Sequence, residues 1–163
     1  MRKQIFKAIA QRIAERCPDV KFIDLWNEHI VEVSTSVPWP LPAVFIEFEQ
    51  YEVHQLSNWQ RDADIPVRLH VVTRWQAYTA GAADKRIDIA LQYFDLIDRV
   101  NAAMQGLSGD GFGCFMLTAS ATNHNHGELV ENIERWQTHA VDATAKRPCR
   151  AVPLTDMDII DRV

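Results

Sequence analysis

The chain has 163 residues, 47% hydrophobic and 24% charged, with a formal net charge of -5 and a pI near 5.6. That size and composition suit one globular domain with a sizeable core and exclude wholesale disorder. The acid surplus argues against a sequence-independent nucleic-acid binder, which needs Lys and Arg to displace phosphate counterions. No apolar run approaches the roughly 18–20 residues that span a bilayer.

Ile5, Phe6, Ile9 and Ile13 recur at spacings of three and four, with Lys3, Lys7, Gln11 and Arg12 between them. This predicts an amphipathic helix over 2–16, ending before Pro18 because the residue preceding proline avoids the helical region. The segment has neither the continuous apolar stretch nor the small-residue cleavage site of a signal peptide. Two short β-like pieces follow, "VKFIDLW" and "IVEVS", and then "VPWPLP", whose three prolines exclude regular pairing and read as a rigid extended loop. "AVFIEFEQYEV" predicts a strand near 43–53 with one buried face, setting Val44, Ile46, Phe48 and Gln50 against Phe45, Glu47, Glu49 and Tyr51. "ADIPVRLHVVTRW" predicts another near 64–75, with Ile65, Val67, Leu69 and Val71 inward and Pro66, Arg68, His70 and Val72 outward. Pro66 points to an edge position or a strand start. The polar "HQLSNWQRD" between them reads as a hairpin loop.

Residues 83–105 form the clearest helical pattern. Ile87, Ala90, Leu91, Phe94, Ile97 and Val100 line one face, Asp84 can cap the start and Gly106 can end it. The glycine-rich "GLSGDGFG" breaks the chain. Strands near 113–123 and 130–141 follow, joined by "ATNHNHGELVEN". The order implies an α+β fold: a single domain over residues 1–142, with a mostly antiparallel, mixed sheet of about four to five strands and two main helices packed on one face. Residues 143–163 read as a C-terminal tail, docked on the body or reaching a neighbouring subunit.

His124-Asn125-His126 is the most tempting chemistry. Two histidines two residues apart point the same way in an extended strand, but zinc needs three or four ligands, and only Glu128 and His139 lie nearby. Asn123, Asn125 and Gly127 are turn formers, so the stretch reads as a turn between strands. "GLSGDGFG" precedes a strand and lacks the helix N-terminus of a phosphate cradle. Cys17, Cys114 and Cys149 form no C-x-x-C pair and read as free thiols, with Cys114 a small core residue. Asp84, Asp88, Asp95 and Asp98 are interleaved with Lys85, Arg86 and Arg99, which marks a solvated helix face. No catalytic residue, metal site or cofactor is expected. The alternative of a different class is a small metal- or ligand-binding enzyme using His70, His124, His126 or His139.

Five tryptophans fall mainly in loops or at strand ends: Trp26, Trp39, Trp59, Trp75 and Trp136. Core filling at the sheet margins accounts for most of them. Trp59 and Trp75 are flanked by Arg61 and Arg74, and Trp and Arg anchor protein interfaces. These four are the interface candidates, within loop 54–64 and segment 74–82.

Several of these pieces together resemble the tail-terminator family of long-tailed bacteriophages and related head–tail joining and minor tail proteins. They are the opening helix "RKQIFKAIAQRI", the "PAVFIEF" strand after a proline-rich loop, "PVRLHVVTRW", the helix "DKRIDIALQYFDLIDRVNAAM" and a closing strand ending "IERWQTHAV". The resemblance spans roughly residues 2–142. It implies a structural protein that forms a ring, usually a hexamer, capping the tail tube, ending its polymerisation and joining tail to head. The implied partners are the protein itself, the tail tube protein and a head-completion protein, with no specific nucleic-acid binding and no membrane. The implied location is the bacterial host cytoplasm during assembly and then the virion tail. A head–tail connector or stopper is the alternative within the same setting.

Overall fold

A computed structural model of the chain describes residues 1–27, 38–75, 87–123 and 128–148. The "IVEVS" piece, the start of the second helix with Asp84, the His124-Asn125-His126 turn and the tail beyond residue 148 lie outside the described residues. The elements are α1 (Arg2–Arg16), β1 (Phe22–Leu25), β2 (Ala43–Phe48), β3 (His54–Gln55), a short 3-10 turn (Ser57–Trp59), β4 (Arg61–Arg74), α2 (Ile87–Met104), β5 (Met116–Asn123) and β6 (Leu129–Asp142). The strands form one sheet in the order β1-β2-β4-β6-β5, and β3 pairs with the start of β4. Only β1 with β2 is parallel; the other pairings are antiparallel. This is the expected α+β domain with a mixed sheet, at six strands among the described residues rather than four to five.

Both helices pack on one face of the sheet. Ile5, Ile9 and Ile13 of α1 meet Leu96, Val100, Ala103 and Met104 of α2 over the sheet residues Val44, Ile65, Val67, Leu69 and Trp136. The α1 residues are buried at the spacing the sequence shows. The helix ends where expected, with the Cys17 amide donating to the Ile13 carbonyl at 2.8 Å ahead of Pro18.

The glycine-rich connection after α2 closes the core. Gly106 takes a positive φ of 76°, which ends the helix, and its amide donates to the Phe115 carbonyl. The connection then runs along β6, with the Gly113 amide on the His139 carbonyl at 2.7 Å and the Val141 amide on the Gly111 carbonyl at 2.9 Å. Phe112 and Phe115 enter the core from it. A Cβ on Gly109 would stand 2.6 Å from the Phe112 ring, so the close approach requires glycine.

Four expectations are corrected. Phe94 and Leu91 do not face the sheet; they are 44% and 46% exposed, while Leu96, Ile97 and Val100 are buried. At about 100° per residue Phe94 lies about 200° round the helix from Leu96, and the sheet claims the Leu96 side. Pro66 sits inside central strand β4, between β2 and β6. It is tolerated because its carbonyl accepts from the Glu49 amide just beyond the end of β2. Its missing donor therefore points where the ladder has stopped. The second sheet face is buried at one end, where Phe45 and Val72 are fully covered. Cys114 is exposed, and the buried thiol is Cys17, whose pKa burial pushes up.

The helix rotation is testable by denaturant unfolding. Leu96→Ala is expected to cost about 2–5 kcal/mol as a buried truncation, and Phe94→Ala under about 1 kcal/mol. The reverse order would mean that α2 turns its other side to the sheet.

Candidate interaction surfaces

Among the described residues no helix covers the other face of the sheet, and the chain divides that face into an aromatic end and a charged strip. At the aromatic end Phe45 is met edge-on by Phe22, Trp26 and Trp39, with ring centroids 5.9, 5.9 and 5.2 Å away. Ala43, Val72 and Leu129 complete the cluster. Trp26 then stacks flat on His70, at 3.8 Å between centroids and 2° between planes.

His70 joins this cluster to the charged strip. Its Nδ1 is 2.6 Å from Glu131 and its Nε2 is 3.0 Å from Glu47. Each ring nitrogen of His70 thus faces a carboxylate oxygen from a neighbouring strand. The other Glu131 oxygen accepts from Asn123 at 2.8 Å. Further along, Arg68 bridges Glu47 and Glu49, and Arg135 donates to Glu49 at 2.6 Å. Beyond Pro66, His139 lies 3.0 Å from Asp64 and 3.7 Å from Asp62, whose other oxygen is 3.7 Å from His54. Glu47, Arg68, His70, Glu131 and Arg135 fall on one face because β4 meets β2 and β6 in fixed antiparallel register.

The chemistry open to this strip is narrow. Both nitrogens of His70 already face carboxylates within the chain. Among the described residues no group of three or more His, Cys, Asp or Glu side chains is arranged to hold a metal ion. His139 lies in the strip, half exposed, while His124 and His126 lie outside the described residues. Asp142 marks the end of the β4–β6 ladder. Hydrogen bonds from the Thr144 hydroxyl and amide, and then Arg61, hold its carboxyl down at about 2.

The four interface candidates are not brought together. Trp59 and Arg61 sit at the start of β4, and Arg74 and Trp75 at its far end, about 40 Å away at a strand rise of roughly 3.3 Å per residue. Trp59 is 59% exposed and has a positive φ of 61°. The Arg147 guanidinium lies 4.5 Å over its ring, and Asn58 donates to the Arg147 carbonyl at 3.0 Å, so the first residues after β6 dock on this turn. Arg61 is ion-paired with Asp142 at 2.6 Å. At the other end the Trp75 amide donates to the Glu128 carbonyl at 2.9 Å. Arg74 and Trp75 line an open groove of about 1040 Å³ with Trp39, Tyr93, Leu96 and Arg99.

The sequence did not disclose the His70 network, because Glu47, His70 and Glu131 come from three strands far apart in the chain. One local signal was available. Val44-Phe45-Ile46 is a continuous apolar run, the mark of a strand buried on both faces.

No protein-family model matches the sequence, and no curated protein does. Among solved structures the fold is similar to that of a chain in the virion of the native gene transfer agent particle, with a TM-score of 0.51. The alignment covers 84% of this chain and 94% of that one at 13% identity. At that identity the likeness is one of fold.

Two measurements check the charged face. His70→Ala is expected to destabilise by about 1–3 kcal/mol, because it removes the buried partner that Glu131 holds at 2.6 Å, while His139→Ala, half exposed, should cost under about 0.5 kcal/mol. Equal losses in urea would refute the special place of His70. Asp142 supplies a pH test. Its folded carboxyl is held below the ordinary 3.8, so its stabilisation is full above that value and is lost as pH falls towards about 2. The stability gap between parent and Asp142→Asn should be constant from about pH 7 down to about 4 and shrink below that; a gap unchanged down to about pH 2 would contradict it.

Proposed function

We propose that the protein is a non-enzymatic structural component of a phage-type virion, and within that class a tail terminator. In this reading it forms a closed ring, six copies in the tail-terminator pattern, on the head-proximal end of the tail tube. The ring stops tube polymerisation and offers its other side to a head-completion protein. The supporting observation is the fold likeness to a gene transfer agent virion chain, which takes in nearly the whole of both chains. The protein would act in the host cytoplasm during assembly and remain in the virion tail.

The layout suits this role. A ring is a head-to-tail assembly, so each subunit needs two different complementary patches. The exposed Trp59 turn and the Arg74–Trp75 groove lie at opposite ends of β4, where two such patches, or one patch and a tube contact, can act without competing. The His70 strip spends its charges on internal pairs, which fits a scaffold better than a reaction centre.

The experiment is to measure mass by light scattering, alone and with purified tail tubes, and to image tube ends. A ring seated on one tube end supports the terminator reading. A ring that binds only the head vertex makes the protein a connector, and a monomer that never joins a tube or a head overturns the proposal. Trp59→Asp is expected to reduce ring formation or docking on the tube while shifting the melting temperature little, since the side chain is largely exposed. A variant that caps tubes normally removes this turn from the interface.

A further inference from the structure

Helix α2 carries an exposed surface that a solvated helix face does not explain. Leu91 and Phe94 are 46% and 44% exposed, and the carboxylates Asp95 and Asp98 stand exposed beside Phe94, one turn apart. Neither carboxylate makes an ion pair among the described residues; Arg99, next in the chain, is committed to Asp19. A face kept only for water would be polar throughout. Mixed apolar and acidic surface of this kind is what a partner with a cationic, stem-rich surface would cover.

Helix α1 presents that surface. Lys3 and Lys7 are exposed on it, also one turn apart, and neither is ion-paired among the described residues, whereas Arg2 is engaged by Tyr51. Residues three and four apart on a helix are neighbours, so the two cations match the two carboxylates in spacing. Lysine stems cover apolar surface while their heads stay in water, and an ammonium is drawn to an aromatic face such as Phe94.

We propose that the Leu91–Asp98 surface of α2 docks on the Lys3–Lys7 surface of α1 from a second copy of this chain. Each copy carries both halves, so the contact propagates from copy to copy. This inference rests on the self-assembling reading above and names the faces that would join.

Charge reversal in both directions tests it. Asp95→Lys with Asp98→Lys makes both surfaces cationic, and Lys3→Glu with Lys7→Glu makes both acidic. All four sites are exposed, so unchanged circular dichroism and thermal melts serve as the folding control. Each double variant alone is expected to self-associate roughly tenfold or more weakly than the parent, because like charges now face each other. An equimolar mixture of the two should regain association, since every contact between unlike chains is again complementary. Parent association should also weaken when salt rises from about 0.05 to about 0.5 M.

Variants that assemble like the parent, or a mixture no better than its components, overturn the proposal and leave the ring reading standing. A parent that forms closed pairs through this contact keeps the interface and overturns the ring. A parent that stays monomeric at every concentration, alone and with tail tubes, overturns both.

Discussion

Arg61 through Arg74 of β4 pair residue by residue with Leu129 through Asp142 of β6, and the other strands and both helices are fastened to that ribbon. Because strand side chains alternate, the register decides what lies under the helices. As paired, Ile65, Val67, Leu69 and Val71 share the helix face with Trp136 and Ala140, and Arg68 shares the other with Arg135 and Glu131. A slip of one residue in β6 would drive Arg135 and Glu131 into the core and turn Trp136 out. Cross-strand polar links hold against that slip at both ends and in the middle: Arg61 with Asp142, Arg135 with Glu49 and His70 with Glu131. The exposed links are worth little energy individually. Their effect is on register, since only one alignment satisfies all of them.

The helix face has its own buried polar group. Glu134 is fully buried, and it accepts from Ser120 at 2.7 Å and Asn101 at 3.2 Å, with Asn132 donating as well. These donors come from β5, α2 and β6, so one carboxylate ties the edge strand and the helix to the central ribbon. A buried carboxylate held by several donors is expensive to leave half satisfied. That anchors the later turns of α2 to the sheet at Asn101, while Phe94, about two turns earlier, stays outside.

Much of the fold was legible because its periods are clean. The fourfold spacing of Ile5, Ile9 and Ile13, with Pro18 beyond them, gave α1 its bounds, and alternation gave the inward set of β4. What failed to show depended on partners distant in the chain. Nothing local says that Pro66 faces the end of β2, that Phe45 is met by Trp39 of the proline-rich loop and by rings at β1, or that the first turns of α2 outrun the core. The same limit applied to the candidate surfaces. Trp59 and Trp75 stood out because large aromatics in polar surroundings are visible in one dimension. The His70 network was hidden because its three members converge only once the register is set.

The two faces of the sheet bear differently on assembly. On the His70 face the charges are matched within the chain, so a partner there would have to break existing pairs before making new ones. On the helix side Lys3 and Lys7 of α1 and Asp95 and Asp98 of α2 make no ion pair among the described residues, though the two helices lie side by side. Their unlike charges stabilise the fold only weakly through solvent. Between molecules the same charges orient approach and reject the wrong pairing of α1 with α1 or α2 with α2. On the contact proposed above, a chain with polarity of this kind on one surface would add to itself in one direction. The curvature per step, set by rigid helices on a rigid sheet, then decides whether the series closes into a ring or runs on as a filament.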